Sequence, residues 1–138
     1  MAIVLFEKGK GEVLTAGTDV AVIATGIMVP AALDAARALE AEGIHARVIN
    51  MATIKPLDEE LVLQAARECG KIVTAEEHSI IGGLGEAVCA LVCEQAPVPV
   101  RRVGVNDCFG HSGPAAALLE EFGLTAGHIA ACCRELVK

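Results

Sequence analysis

Residues 20–49 read VAVIATGIMVPAALDAARALEAEGIHARVI, and this stretch decides the fold. Val20-Ala21-Val22-Ile23-Ala24 is a continuous apolar run with no polar alternation, the pattern of a strand covered on both faces by helices. Val29, Leu33, Ala36 and Leu39 then recur at helical spacing, and Gly43 stands where a left-handed helix cap is needed. A second apolar run, His45 to Ile49, follows at once. A strand, a helix of this length and another buried strand predict a βαβ unit, and hence a parallel sheet.

The same grammar extends in both directions. Lys71 to Ala75 and Pro99 to Val103 are further buried-strand patterns. Asp58 is placed to cap a helix whose Leu61, Ala65 and Cys69 share a face, with Leu57 and Val62 as a hydrophobic staple and Gly70 as the stop. Thr125 is the matching cap of a last helix, flanked by Leu124 and Ile129, with Cys133, Leu136 and Val137 continuing its apolar stripe. Glu12 to Thr15 reads as a short strand that precedes Val20 across Ala16-Gly17-Thr18-Asp19, a spacing that suits an antiparallel edge partner. The expected fold class is α/β: three layers, α/β/α, around a mostly parallel sheet. Residues 12–138 form one domain in this reading, and residues 1–11, which pack an apolar IVLF run against Lys and Gly, form an interdomain connection or a frayed end.

Composition narrows the function classes. The chain has 138 residues, enough for one core, and its 54% hydrophobic content comes from aliphatic residues, with no Trp or Tyr. A net charge of −7 leaves no basic stripe for nucleic acid or anionic lipid. No apolar run approaches the roughly 20 residues of a membrane span, and Met1 to Phe6 is too short for a secretory h-region, so the expected location is the cytoplasm. Of the six cysteines, none forms a C-x-x-C pair, and most read as small buried hydrophobes of a reduced compartment. Cys89 and Cys93, four residues apart, could share a helix face with a soft metal.

Chemistry is expected beyond the carboxyl ends of the strands. Just past the strand runs stand Thr25-Gly26, Asn50, Glu76-Glu77-His78 and Asn106-Asp107. From Glu76 the chain crosses a polar segment and enters a helix through Gly82, Gly83 and Gly85. Those glycines suit a tight turn with close helix–sheet packing, an anion site on free helix amides, or a contact surface for another domain. The pattern is neither G-x-G-x-x-G nor a Lys-containing phosphate loop, and Glu76 and Glu77 repel a phosphate. His78 beside two carboxylates could act as an acid or base, but no nucleophile accompanies it at a recognisable spacing. Asp107, Phe109 and His111 lie in a loop shaped by Gly110, Gly113 and Pro114 that leads to a helix at Ala115. Phe109 there either packs on a neighbour or plugs the core. No residue is assigned a catalytic, cofactor-binding or metal-ligating role.

Asp19 to Gly26 with Met28-Val29, Gly43 to Asn50, Ile54-Lys55-Pro56-Leu57-Asp58, Val73 to His78 with Gly82-Gly83-Leu84-Gly85, and Asp107 to Gly113 with Phe122-Gly123-Leu124-Thr125 together resemble the carboxy-terminal domain of transketolase. The likeness covers nearly the whole chain and is nearest to the form split into two polypeptides; 1-deoxyxylulose-5-phosphate synthase and 2-oxoacid dehydrogenase beta subunits end in similar domains. The resemblance implies a mixed five-stranded sheet with one antiparallel edge strand. It also implies that thiamin diphosphate and its Mg lie between two other domains, the amino-terminal and pyrimidine-binding parts of the enzyme, which supply a Gly-Asp-Gly motif absent here. Ketol transfer needs a cofactor that stabilises a carbanion, so this chain alone is expected to bind no cofactor and to be inactive. Its implied role is to buttress the neighbouring domain and extend the interface of a homo-oligomer. Glu76, Glu77, His78, Gly82, Gly83, Gly85, Asp107, Phe109 and His111 are the candidate contact or anion-binding edge. Two other classes stay open: a stand-alone anion- or nucleotide-binding regulatory module using the three glycines, and a purely structural dimerisation unit.

Overall fold

The computed structural model describes residues 10–52, 57–79, 83–105 and 125–138. Along the chain run β1 (Glu12–Val13), β2 (Val20–Ala24), α1 (Met28–Glu40), β3 (Ala46–Asn50), α2 (Glu59–Cys69), β4 (Ile72–Ser79), α3 (Leu84–Gln95), β5 (Val100–Val105) and α4 (Ala126–Val137). The sheet order is β1-β3-β2-β4-β5. Strands β3, β2, β4 and β5 are parallel, and β1 is antiparallel. The mixed, mostly parallel five-stranded sheet expected from the sequence is thus present.

Strand periodicity explains the layers. Successive side chains point to opposite faces, and every residue of β2 is buried, so each face receives alternate β2 residues. Val20, Val22 and Ala24 join Val48, Val73, Ala75 and Val103 under α1 and α4. Ala21 and Ile23 join Ile49 and Ile72 under α2 and α3. Two aliphatic cores therefore flank one sheet.

Local chemistry ends the helices where the sequence places the signals. Asp58 Oδ1 accepts from Leu61 N at 3.2 Å, and Thr125 Oγ1 accepts from His128 N at 3.2 Å. Gly70 and Gly43 take the left-handed conformation, with φ of 73° and 82°. Leu57 packs against the same core as Val62, as the staple requires, whereas Leu124 and the helix expected from Ala115 lie outside the described residues.

Two strand assignments differ from expectation. The edge strand is only Glu12–Val13, and its partner is β3 rather than the sequence-adjacent β2. The second difference concerns β4, which does not end at Ala75 but runs to Ser79, so Glu76, Glu77 and His78 lie within it rather than in a loop beyond it. Its register against β5 slips: Ala75 pairs with Val103 but Ser79 with Val105, so four steps along β4 match two along β5. That irregularity of the bulge type falls on the Glu76–His78 segment, at the carboxyl edge of the sheet.

Candidate functional site: the carboxyl edge between β2 and β4

Strand β2 feeds α1 on one face, and β4 feeds α3 on the other. The carboxyl ends of these adjacent strands therefore mark the point where the winding reverses, the place at which open α/β sheets bind ligands and partners. Among the described residues, this edge carries Thr25, Gly26, Ile27, Asn50, Glu76 and Glu77. Ile27 is 50% exposed, one of two large hydrophobic residues so placed among those described.

The two glutamates divide the edge between the helices. Neighbours on a strand face opposite ways. Glu76 turns to the α3 side, is fully buried, and accepts hydrogen bonds from Leu84 N at 2.8 Å and Gly85 N at 2.7 Å. A carboxylate is favoured there because the first helix amides have no intrahelical partner and the dipole is positive. Gly83, the cap residue of α3, has no side chain with which to cap it. Glu77 turns to the α1 side, where Gly26 has φ of 56°, and a Cβ on that glycine would lie 2.8 Å from Glu77 Oε1. Helix α1 has no side-chain cap and no acid in its first turn, so Glu77 is the carboxylate adjoining its entrance.

Gly85, the second residue of α3, lies against β4 and β5: a Cβ on it would meet Thr74 Oγ1 at 2.8 Å and the Arg102 stem at 2.9 Å. Close helix–sheet packing is therefore a use the structure gives Gly85. The α3 amides of Leu84 and Gly85 that an external anion would need are engaged by Glu76. Gly82, Asp107, Phe109 and His111, and the side chain of His78, lie outside the described residues. A cleft of about 280 Å³ opens elsewhere, lined among others by Thr15, Arg37, Glu40 and His45, and Arg37 there is bound to Asp34 at 2.6 Å.

Cys69, Cys132 and Cys133 are buried, as small hydrophobes should be, whereas Cys89 is partly buried and Cys93 is exposed. Burial raises the thiols of Cys69, Cys89 and Cys132, and pushes Cys133 up to about 12. At pH 8 only about one Cys133 in ten thousand is a thiolate, the form that reacts. Brief iodoacetamide treatment mapped by mass spectrometry is expected to label Cys93 well before Cys133. Early labelling of Cys133 would mean that the α1–α4 layer opens readily.

The family model described as transketolase, C-terminal domain, matches residues 9–129. The chain belongs to the transketolase C-terminal domain family. It is 50% identical over 133 residues to the 6-deoxy-6-sulfo-D-fructose transketolase subunit SqwH of Clostridium sp. (strain MSTE9), covering 96% of this chain and 41% of the relative. It is 47% identical over 129 residues to 1-deoxy-D-xylulose-5-phosphate synthase of Heliobacterium modesticaldum (strain ATCC 51547 / Ice1), covering 93% of this chain and 20% of that enzyme. A solved structure described as a split gene transketolase, inactive beta4 tetramer, superposes with a TM-score of 0.91 at 55% identity, over 96% of this chain and 43% of its own. The chain thus spans about two fifths or less of these relatives.

Proposed function

We propose that this chain is the carboxy-terminal part of a transketolase that transfers a ketol unit between sugar phosphates, and that it acts by supporting the parts that hold the cofactor. The observation that carries the reading is the likeness to the split gene transketolase across 96% of the chain. Residues 12–138 are the domain in this proposal, and residues 1–11 connect it to its neighbour. Gly11 N donates to Asp58 Oδ2 at 2.9 Å, which ties that connection to the start of α2.

Thiamin diphosphate and Mg serve the complete enzyme in this reading, the cofactor supplying the carbanion stabilisation that side chains lack. The described residues do not fit that group. No three His, Cys, Asp or Glu side chains converge among them, and the α3 amides of Leu84 and Gly85 that could face a diphosphate already hold Glu76. The contribution proposed for this chain is therefore an interface: the carboxyl edge with Glu77 and His78, braced from within by the buried Glu76, and the loop from Asp107 to Gly113, against the pyrimidine-binding part and within a homo-oligomer. No helix among the described residues is long and apolar enough to cross a membrane, and the proposed location is the cytoplasm.

A two-substrate transketolase assay with thiamin diphosphate and Mg tests this, with the chain alone and with the amino-terminal and pyrimidine-binding parts added. The expected result is no turnover alone and turnover when combined. Turnover by the chain alone would overturn the proposal. The match to 1-deoxy-D-xylulose-5-phosphate synthase favours a second reading, in which the combined parts release CO2 from a 2-oxoacid.

A further inference from the structure

One face of α3 runs from the sheet edge at Gly85 out to solvent at Cys93, and its two cysteines belong to neither aliphatic core. Gly85, Cys89 and Cys93 succeed one another there at four-residue spacing, with Cys89 partly buried and Cys93 exposed. Residues so spaced on a helix hold their Cβ atoms about 5–6 Å apart. A disulfide needs Cβ atoms about 3.5–4.5 Å apart, so the two thiols cannot close on each other while α3 stays intact. An atom inserted between the sulfurs removes that obstacle, because each metal–thiolate bond adds about 2.3 Å to the bridge.

The surroundings favour such a bridge. Gly85 has no Cβ, and the Arg102 stem occupies the space that one would fill. The Arg102 cation lies within electrostatic reach of Cys89, as does the Glu86 carboxylate on the same helix. Two thiolates around a monovalent ion leave a net negative charge, which the guanidinium offsets. Zinc would demand four ligands, and no group of three or more His, Cys, Asp or Glu gathers among the described residues.

We propose that Cys89 and Cys93 form a two-thiolate clamp for a soft monovalent cation of the copper(I) class, which thiolate ligands select and which two sulfurs satisfy. The site is separate from the proposed interface and does not depend on it.

Anaerobic titration of the reduced chain with Cu(I) against a chromophoric chelator tests the clamp. The parent is expected to hold Cu(I) at this pair in sulfur-only, two-coordinate geometry by X-ray absorption. Loss of one arm of a chelate forfeits an effective concentration worth about 10²- to 10⁴-fold in affinity, so Cys93→Ser should weaken binding by that order. Cys93 is exposed, and circular dichroism should show the variant folded like the parent. Cys69→Ser, on α2, should bind as the parent does. The proposal fails if the parent does not compete with the chelator, or if Cys89→Ser and Cys93→Ser both bind as tightly as the parent.

Discussion

Replacement of Glu76 by Ala is expected to lower the Tm of the chain by about 6–12 °C at fixed protein concentration, from a loss of about 2–4 kcal/mol. Both carboxylate oxygens are in use, one on Leu84 N and one on Gly85 N, and the side chain is fully buried. Truncation strips two enclosed N–H groups of their acceptor and leaves a void beneath α3. Each stranded donor costs about 1–3 kcal/mol, while release of the buried charge from its desolvation offsets part of the sum. Gly83 cannot substitute, having no side chain. Glu76→Gln keeps the volume and one acceptor but turns an NH2 group toward an N–H, so its loss should be about half as large. Thermal and urea unfolding of the two variants measure both. An Ala variant within about 1 kcal/mol of the parent would show that the α3 entrance is satisfied without the carboxylate, and that Glu76 does not secure β4 to α3.

That same residue shows why part of the edge was not legible in the sequence. Two adjacent carboxylates after an apolar run look like the start of a solvated loop, a pattern that ends the strand at Ala75. The structure continues β4 to Ser79 because Glu76 finds its donors eight and nine residues later, on a helix that brings no cap of its own. A signal was present. A helix entered through Gly-Gly with no Ser, Thr, Asp or Asn in the cap position needs an acceptor from elsewhere, and the nearest upstream acids are Glu76 and Glu77. By contrast, the caps at Asp58 and Thr125 and the stops at Gly43 and Gly70 could be read directly, because each is chemistry between residues a few positions apart. Burial of β2 on both faces was equally plain from its unbroken apolar run. The partner of β1 was not, because pairing across an intervening strand and helix is fixed by long-range contacts. Thr15 Oγ1 donates to Ala46 O and accepts from Val48 N, both at 2.9 Å, which carries the edge along β3 beyond Val13.

The turn after that edge sets the second large effect. Gly17→Ala is expected to cost about 3 kcal/mol or more, the upper end for a side chain forced into filled space. A Cβ on Gly17 would lie 2.6 Å from Ala46 C and His45 O and 2.7 Å from Ala46 O, and all three are backbone atoms. Nor can that backbone withdraw. His45 N donates to Asp19 Oδ2 at 2.7 Å, Asp19 N donates back to His45 O at 3.1 Å, and Ala46 O holds the Thr15 hydroxyl. Gly17 is itself tethered, its carbonyl accepting from Arg47 Nε at 3.1 Å. The control is Gly70→Ala, where nothing lies within 4 Å of the new Cβ and the φ of 73° alone opposes it, for a cost of about 1–2 kcal/mol. Urea unfolding should therefore rank Gly17→Ala below Gly70→Ala, although a count of left-handed glycines predicts the reverse. If Gly17→Ala proves the milder change, the 16–19 turn yields more easily than its hydrogen bonds imply, and the seating of the β1 segment on β3 does not depend on a bare backbone at residue 17.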